Sequence, residues 1–379
     1  MRANVFTDEA LERYAGRFVW LAIDTENGKN STFLQKYPVH ALPTLYVLDP
    51  KREAAVVHYV GGATVPQLTK LLNDAEKTYQ AKSLTPADTL LSSAEKLAAQ
   101  GLADESIKLY EQALAKSAKN WAPFGRTAES YLVALSMKPD NETCAEQART
   151  LYPRLKGTPS GANVASVGLS CTTELDAKNP KRAELLTFLE QATREAFDDP
   201  KVVISGDDRS GMYDALVSAR EAQKDDAGAA KLRQEWIAFL EKAAAESKTA
   251  EQRAVYDSHR LSLYLMMKTP EKAIPMLEQS EKDFPQDYNP PARLAAAYRA
   301  LGKNDEALAA IDRALAKSYG PRKIGQYRTR ADILLAKGDK EAARQTLQTA
   351  IAYAKALPAG QRSDRTVAML EKKLGEVTQ

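Results

Sequence analysis

The sequence is poor in the residues from which most catalytic centres are built. Its 379 residues include two cysteines, Cys144 and Cys171, and three scattered histidines, His40, His58 and His259. No serine or cysteine is spaced near a histidine as in a nucleophile motif, and phosphate-loop, dinucleotide and His-Glu-x-x-His zinc motifs are missing. From these residues we predict no catalytic group, no metal site and no cofactor.

The charge pattern also excludes several partner classes. The chain has 53 Lys and Arg against 50 Asp and Glu, mixed along the sequence without a run of one sign, which argues against nucleic acid as a partner. No apolar stretch approaches the roughly 18 residues that a membrane span needs. With 44% hydrophobic residues, the chain can form two or three domains with buried cores.

The first eighty residues contain short apolar runs separated by turn signals. Residues 18–24 form a continuous apolar run, which predicts a buried parallel strand. A short helix is expected over residues 31–37. Pro43 can only precede or open the next strand because proline donates no ladder hydrogen bond. The next predicted elements are a strand over residues 44–49 and a second, β-rich strand over residues 54–60 that pairs antiparallel with it. A helix capped by Thr64 follows and extends to about Ala81.

This order, with Leu42-Pro43-Thr44 ahead of a strand and Gly61-Gly62 after the next one, resembles the C-terminal two-thirds of a thioredoxin domain. The resemblance covers residues 1 to about 80. It implies a cis peptide bond before Pro43 and a backbone that binds an extended peptide. The residues that it assigns to peptide binding are Ala41, Leu42, Pro43 and Thr44.

Two parts of the resembled fold have no counterpart here, namely the central strand and the Cys-x-x-Cys that carries thiol chemistry. A vacant central position leaves buried backbone groups unpaired, at about 1–3 kcal/mol each. We therefore expect Met1 to be an internal methionine of a longer product that carries the strand, the cysteines and an export signal; the alternative is a degenerate domain. The sequence as given has no redox cysteine pair and should be inactive in thiol-disulfide exchange.

Beyond about residue 83 the apolar period becomes helical, and part of it repeats. Ala273 and Ala307 lie 34 residues apart, and each follows a tyrosine by nine residues, Tyr264 and Tyr298. This spacing resembles tetratricopeptide repeats, with Gly302 and Ala314 expected where two helices approach closely. Further copies are marked by Gly338, Ala343, Leu347 and Ala350, and by Leu97, Gly101, Tyr110 and Ala113 within residues 90–114.

The region between the repeat copies is also predicted to be helical. Residues 210–246 fit an antiparallel helix pair around Asp225-Asp226, with Ser210 as a helix cap. Residues 121–200 indicate helix hairpins with long turns. The expected fold class is therefore α/β plus all-α, an incomplete thioredoxin-like domain followed by a helical-hairpin solenoid. The predicted domains are residues 1–82, 83–253 and 254–379.

Cys144 and Cys171 lie on either side of a turn that can bring two helices antiparallel, so a disulfide between them is feasible. A disulfide indicates an oxidising compartment such as the bacterial periplasm, whereas two buried free thiols fit the cytosol. We favour the disulfide. The expected localisation is periplasmic if an upstream export signal exists and cytoplasmic otherwise.

Three functions fit these patterns. The first is a thioredoxin-family protein whose helical repeats hold a client for thiol-disulfide exchange, with the redox cysteines outside this sequence. The second is a non-catalytic interaction scaffold that binds protein or peptide partners. The third is a purely structural repeat protein in which residues 1–80 act as a cap. The partner and the oligomeric state are not predicted by the sequence.

Overall fold

In a computed structural model, residues 1, 3–81 and 83–378 are described, and 69% of the chain is helical. Contacts divide it into two compact units: residues 1–18 with 38–236, and residues 19–37 with 237–379. The division falls within one helix, between Trp236 and Ile237. The domain boundaries expected after residues 82 and 253 stay predictions.

The first unit begins with a small antiparallel sheet of strands β1 (Thr44–Asp49) and β2 (Ala54–Val60). Both strands lie where the sequence predicted them. On β2, Ala55, Val57 and Tyr59 are buried and alternate with half-buried residues, because successive side chains point to opposite faces. Leucines of the following helix pack on this core.

The helix after the sheet, α2 (Val65–Gln80), begins as predicted. Thr64 Oγ1 accepts a hydrogen bond from the Gln67 amide, while Gln67 Oε1 accepts one from the Thr64 amide. This reciprocal capping satisfies two backbone donors that a helix start leaves without intrahelical partners. The short helix predicted over residues 31–37 is also present, as α1 (Ser31–Lys36) in the second unit.

The strand predicted over residues 18–24 is wrong. These residues have no regular secondary structure, and Val19 and Leu21 are 88% and 74% exposed. A strand needs a partner for its backbone groups, and in the described residues the only sheet consists of β1 and β2 paired with each other. The apolar run therefore lacks the neighbouring strand that its interpretation as a buried strand required.

The first unit continues as antiparallel helices. They are α3 (Pro86–Ala99), α4 (Ala103–Lys116), α5 (Phe124–Ser136), α6 (Asn141–Leu155), α7 (Pro159–Thr173), α8 (Arg182–Asp198) and α9 (Gly206–Ala222). The helix hairpins predicted over residues 121–200 are present; the turn between α6 and α7 is short, residues 156–158, whereas residues 174–181 form a longer connection between α7 and α8. The cap predicted at Ser210 is also wrong: Ser205 caps α9, with its Oγ accepting from the Asp208 amide.

The second unit is helical. After α10 (Asp226–Ala245) come α11 (Ala250–Ala254), α12 (Asp257–Met266), α13 (Ala273–Asp283), α14 (Asn289–Ala300), α15 (Asn304–Lys317), α16 (Arg322–Ala336), α17 (Lys340–Ala356) and α18 (Asp364–Thr378). Ala273, Ala307, Ala343 and Ala350 are fully buried between these helices, as the repeat pattern predicts. In the described part of the chain, no helix is both long and apolar enough to cross a membrane.

A left-handed residue ends the first helix of several pairs. Gly101, Gly302 and Gly338 have φ of 76°, 71° and 82°. The residue after each donates its amide to a carbonyl five residues earlier, as Lys303 does to Tyr298 at 3.0 Å. Lys224 and Lys268 occupy the same position with φ of 60° and 58°. The common turn therefore extends the repeat to pairs in which glycine is missing.

Gly302 thus has a different role from the one that the sequence predicted. A Cβ atom added there would meet no atom within 4 Å, so close helix approach does not require glycine. The requirement is the positive φ, which costs a non-glycine residue about 1–2 kcal/mol. Ala314, in contrast, is fully buried, in agreement with the predicted close packing.

We expect Gly302→Ala to destabilise the protein by about 1 kcal/mol, because alanine is strained at this backbone conformation. Gly325→Ala is the matched control. Gly325 lies inside α16 with no positive φ and open space at its Cβ position, so alanine should stabilise by about 0.5–1 kcal/mol. Urea-induced unfolding followed by circular dichroism measures both, and equal shifts of one sign would contradict the turn assignment.

Candidate functional site

The loop that the sequence assigned to peptide binding is exposed and well defined. The Leu42–Pro43 peptide bond is cis, as the resemblance implies. Ala41, Leu42 and Pro43 are exposed, with Leu42 at 58%, and Thr44 is half-buried. Thr44 Oγ1 donates to the Ala41 carbonyl at 2.6 Å, which closes the loop on itself. The four predicted residues therefore form one compact surface turn at the start of β1.

The two edges of the sheet differ beside this loop. Gly61 donates its amide to the Pro43 carbonyl at 2.9 Å, which makes Thr44 and Val60 a non-hydrogen-bonded pair of the antiparallel ladder. The amide and carbonyl of Thr44 therefore point away from β2. No third strand pairs with β1 among residues 1, 3–81 and 83–378. Within these residues, the outer edge of β1 therefore has no strand paired with it.

The other edge, on β2, is closed by a buried carboxylate. His58 is opposite Tyr46 in the next non-hydrogen-bonded pair, so its amide points away from β1. That amide donates to Glu95 Oε2 on α3 at 2.7 Å. A carboxylate that occupies an edge amide prevents strand addition there. At His58 the β2 edge is therefore occupied, whereas no strand pairs with the outer edge of β1 in the described residues.

Glu95 is held by helices on several sides. It is fully buried, and its Oε1 accepts from Arg126 Nη1 on α5 at 2.6 Å. Arg126 Nε in turn lies 3.5 Å from Asp74 Oδ2 on α2. The hydroxyl of Tyr110 on α4 also donates to Glu95, at 3.4 Å. One carboxylate thus joins β2 to α3, α4 and α5, and a second carboxylate joins α5 to α2 through Arg126.

A second buried carboxylate lies at the end of the same strand. Tyr59 donates its hydroxyl to Glu129 Oε2 on α5 at 2.8 Å. Burial raises the pKa of Glu129, the nearby Asp208 carboxylate raises it further, and hydrogen bonds from Ser160 and Tyr59 act in the opposite direction. Burial also raises the pKa of Asp208, whose Oδ2 is buried without a hydrogen-bond partner among the described residues. Glu129 can therefore hold a proton at a higher pH than an exposed glutamate.

The histidines do not form a catalytic group. His58 on β2 is half-buried, with its ring 5.0 Å from that of Tyr46. Burial, and secondarily the charge of His40, lowers the pKa of His58 to about 4, so it is neutral at pH 7. His40 lies in the loop before Pro43, and His259 lies on α12 in the other unit.

The two cysteines lie away from this loop in sequence and secondary structure. Cys144 on α6 and Cys171 on α7 are buried and joined by a disulfide. Neither is within a Cys-x-x-Cys, and the described residues contain no cluster of His, Cys, Asp or Glu suited to a metal ion. The loop at residues 41–44 therefore contains neither of the two cysteines and adjoins no such cluster in the described part of the chain.

The loop could be identified from the sequence, whereas the buried charges of Glu95 and Arg126 beside the sheet could not. Glu95 lies on the apolar stripe of α3, four residues from both Leu91 and Ala99, which are buried. A glutamate at such a position is rarely buried unless it is paired. That anomaly in the pattern was the available signal, although the partners, Arg126 and the His58 amide, are distant in the sequence.

Glu129→Gln tests the buried proton. Because the pKa of Glu129 is higher in the folded than in the unfolded chain, the folded state binds this proton more tightly, and stability falls as pH rises between the two pKa values. Glutamine mimics the protonated acid and keeps an acceptor for Tyr59. We expect its advantage over wild type to grow from acidic to neutral pH in urea unfolding.

Glu129→Ala provides the control for this pH series. It removes the nearer acceptor of the Tyr59 hydroxyl, leaving the Gly62 carbonyl at 3.3 Å, and should cost about 1–3 kcal/mol. If glutamine and wild type instead show the same difference in stability at every pH, the raised pKa of Glu129 is wrong.

Comparison with known proteins adds a family for part of the second unit. Residues 264–322 match the family model described as tetratricopeptide repeat, in agreement with the repeat predicted around Ala273 and Ala307. No curated protein matches the chain. None of these results supports the thioredoxin-like assignment of residues 1–82.

Several solved structures of low identity are similar. A tetratricopeptide repeat protein from Parabacteroides merdae has 13% identity and a TM-score of 0.46, over 76% of this chain and 98% of that one. The TPR2AB domain of yeast Sti1, solved as a pHSP90 complex, has 16% identity and a TM-score of 0.30, over 77% and 98%. A thermophilic TPR protein of Thermus thermophilus has 15% identity and a TM-score of 0.26, over 77% and 98%. Because residues 264–322 match the family model, we conclude that the chain contains tetratricopeptide-like helical repeats.

Proposed function

We propose that this protein is a non-catalytic interaction scaffold that binds protein or peptide partners. Tetratricopeptide repeats are protein-binding modules, and residues 264–322 match that family. The third hypothesis, a purely structural repeat protein, gives no reason for an exposed loop beside an open sheet edge. The scaffold hypothesis accounts for both the repeats and the loop.

One observation supports a peptide site in the first unit: the outward-pointing backbone of Thr44 adjoins the exposed side chain of Leu42. An extended peptide can pair its backbone with such an edge while a side chain contacts the neighbouring apolar group. Glu95 occupies the other edge, so the partner would approach β1. The proposed peptide-binding residues are Ala41, Leu42, Pro43 and Thr44.

A thioredoxin-like origin of residues 1–82 is a finer proposal. The sequence of elements α1, β1, β2 and α2, together with the cis bond before Pro43, favours it. The missing strand at residues 18–24 argues against it. Client holding at the loop is compatible with either origin, whereas thiol-disulfide exchange would need cysteines that this sequence does not contain.

A library of displayed short peptides, selected on the wild-type protein, tests the scaffold. We expect enriched peptides whose binding weakens roughly tenfold in Leu42→Asp, because an apolar contact of about 1–2 kcal/mol at a partly exposed site is replaced by a charge. Thr44→Pro should also weaken binding, since it removes the amide that points away from β2. Fluorescence anisotropy measures the affinities.

Thr44→Val is the matched control because it loses the hydroxyl but keeps the amide. Equal losses in the valine and proline variants would argue against strand pairing at this edge. If the enriched peptides bind the Leu42 and Thr44 variants as tightly as wild type, the protein is still a scaffold, but its binding site lies elsewhere. Failure to enrich any peptide would count against the scaffold itself.

We also propose that the protein functions in an oxidising compartment, such as the bacterial periplasm. The buried Cys144–Cys171 pair supports this proposal. Replacing both cysteines with alanine should cost about 3 kcal/mol, because the bond closes a loop with a sequence separation of 27. Non-reducing mass mapping of protein isolated from cells measures the state of the two cysteines. Two free thiols would contradict the proposed oxidising compartment.

A further inference from the structure

The second unit contains a polar docking site occupied by a segment from near the start of the chain. Residues 19–37 belong to this unit, and within them Asp24, Thr25 and Glu26 form an acidic turn. They contact two turns of the helical array: residues 319–322 between α15 and α16, and residues 358–361 between α17 and α18. We refer to Tyr319, Gly320, Arg322 and Gln361 as the acidic-turn site.

Each residue of the acidic turn makes a distinct polar contact. Asp24 Oδ2 accepts from the Tyr319 hydroxyl at 2.7 Å, and the Thr25 carbonyl accepts from Gln361 Nε2 at 2.8 Å. Glu26 Oε2 accepts from the Arg322 backbone amide at 2.7 Å, with Oε1 at 3.5 Å from Arg322 Nε. The contacts therefore recognise two carboxylates and the carbonyl between them, the pattern Asp-x-Glu.

The Glu26 contact also completes a helix. Arg322 is the first residue of α16, and Pro321 before it supplies no side-chain cap. The carboxylate of Glu26 accepts from that first amide and lies at the positive end of the helix dipole. A neutral side chain would not match this site equally well.

The site also has a shape requirement. A Cβ atom at Gly320 would lie 2.2 Å from the Glu26 carbonyl oxygen, so only glycine lets the acidic turn approach this closely. Beside it is a cavity of about 400 Å³, lined among others by Gly28, Tyr353, Pro358 and Gln361. The acidic turn thus fits its backbone against Gly320 and leaves space next to Gly28.

One buried polar atom of the site has no partner in the resident segment. Gln361 is 9% exposed, and its Oε1 is buried without a hydrogen-bond partner in the described residues. This oxygen lies 3.9 Å from the position of a Cβ atom at Gly28. A ligand with a donor at that position would satisfy it, whereas glycine offers no side chain.

We propose that the acidic-turn site recognises Asp-x-Glu turns, and that a partner protein carrying such a turn displaces residues 24–28. The resident contacts are polar and partly open to solvent, with Tyr319 49% exposed, so they can exchange without breaking an apolar core. In this arrangement the chain's own segment competes with the partner and is an intramolecular ligand. The site is independent of the loop at residues 41–44.

The test uses a labelled peptide with the sequence of residues 22–30 and the full chain in two forms. The Asp24→Asn/Glu26→Gln double variant weakens the internal ligand and leaves the site unchanged. We expect the peptide to bind this variant roughly tenfold more tightly than wild type, because a tethered competitor acts at a high effective concentration. A peptide with the same two substitutions should not bind. Equal affinity for both proteins, or no binding to the double variant, would overturn the proposal.

Gly320→Ala, added to the double variant, should abolish peptide binding through its clash with the peptide backbone. Gly338→Ala is the matched control, since Gly338 has a similarly positive φ of 82° but no atom within 4 Å of an added Cβ. It should keep the affinity of the double variant. Equal losses in both alanine variants would contradict a direct contact at Gly320.

Hydrogen exchange on the wild-type protein tests displacement without any variant. Excess peptide should speed exchange in residues 24–30, and unchanged exchange there at saturating peptide would overturn the proposal. A peptide with serine in place of Gly28 should displace the segment at a lower concentration, because its hydroxyl can donate to Gln361 Oε1. Weaker displacement by this peptide would contradict a vacant acceptor at Gln361 Oε1.

Discussion

The buried Glu95 carboxylate is the interaction on which the sheet-containing part of the first unit depends. It accepts hydrogen bonds from the outward-pointing amide of His58 and from the guanidinium of Arg126. The two-stranded sheet is therefore attached to helices through charge as well as through apolar packing. Two strands alone are marginally stable in water. With β2 fixed to α3 and α5, β1 is the edge at which we propose that a partner peptide pairs. The position of the proposed peptide loop thus follows from a residue far from it in the sequence.

The helical part depends on a different constraint, the turn within each helix pair. The backbone conformation of this turn is the same in several pairs whose side chains differ. Each helix pair must reverse direction within a few residues and still pair its last carbonyls. A single left-handed residue achieves this at Gly101, Gly302 and Gly338, and lysine does so at Lys224 and Lys268. Backbone geometry is therefore shared between pairs even where the sequence signature is weak. Packing of the fully buried alanines then stacks neighbouring pairs.

Local signals predicted local structure well. Thr64 located the start of α2, and a β-rich run located β2, because each signal depends on residues adjacent in the sequence. The interpretation failed at residues 18–24, where an apolar run was taken as sufficient for a strand. The candidate loop at Leu42 and Pro43 was found from a resemblance, whereas Glu95, Arg126 and Glu129 were not, since their partners come from distant elements.

By itself, the sequence determined where α2 begins, that the chain beyond about residue 83 is helical, and how the repeats around Ala273 and Ala307 are spaced. These properties follow from propensity, capping and period, which act over a few residues. The tertiary structure decided which sheet edge is closed, which carboxylates are buried, and that the acidic turn at residues 24–26 contacts Tyr319, Arg322 and Gln361. Those facts depend on contacts between residues up to 336 positions apart, and no local pattern encodes such distances.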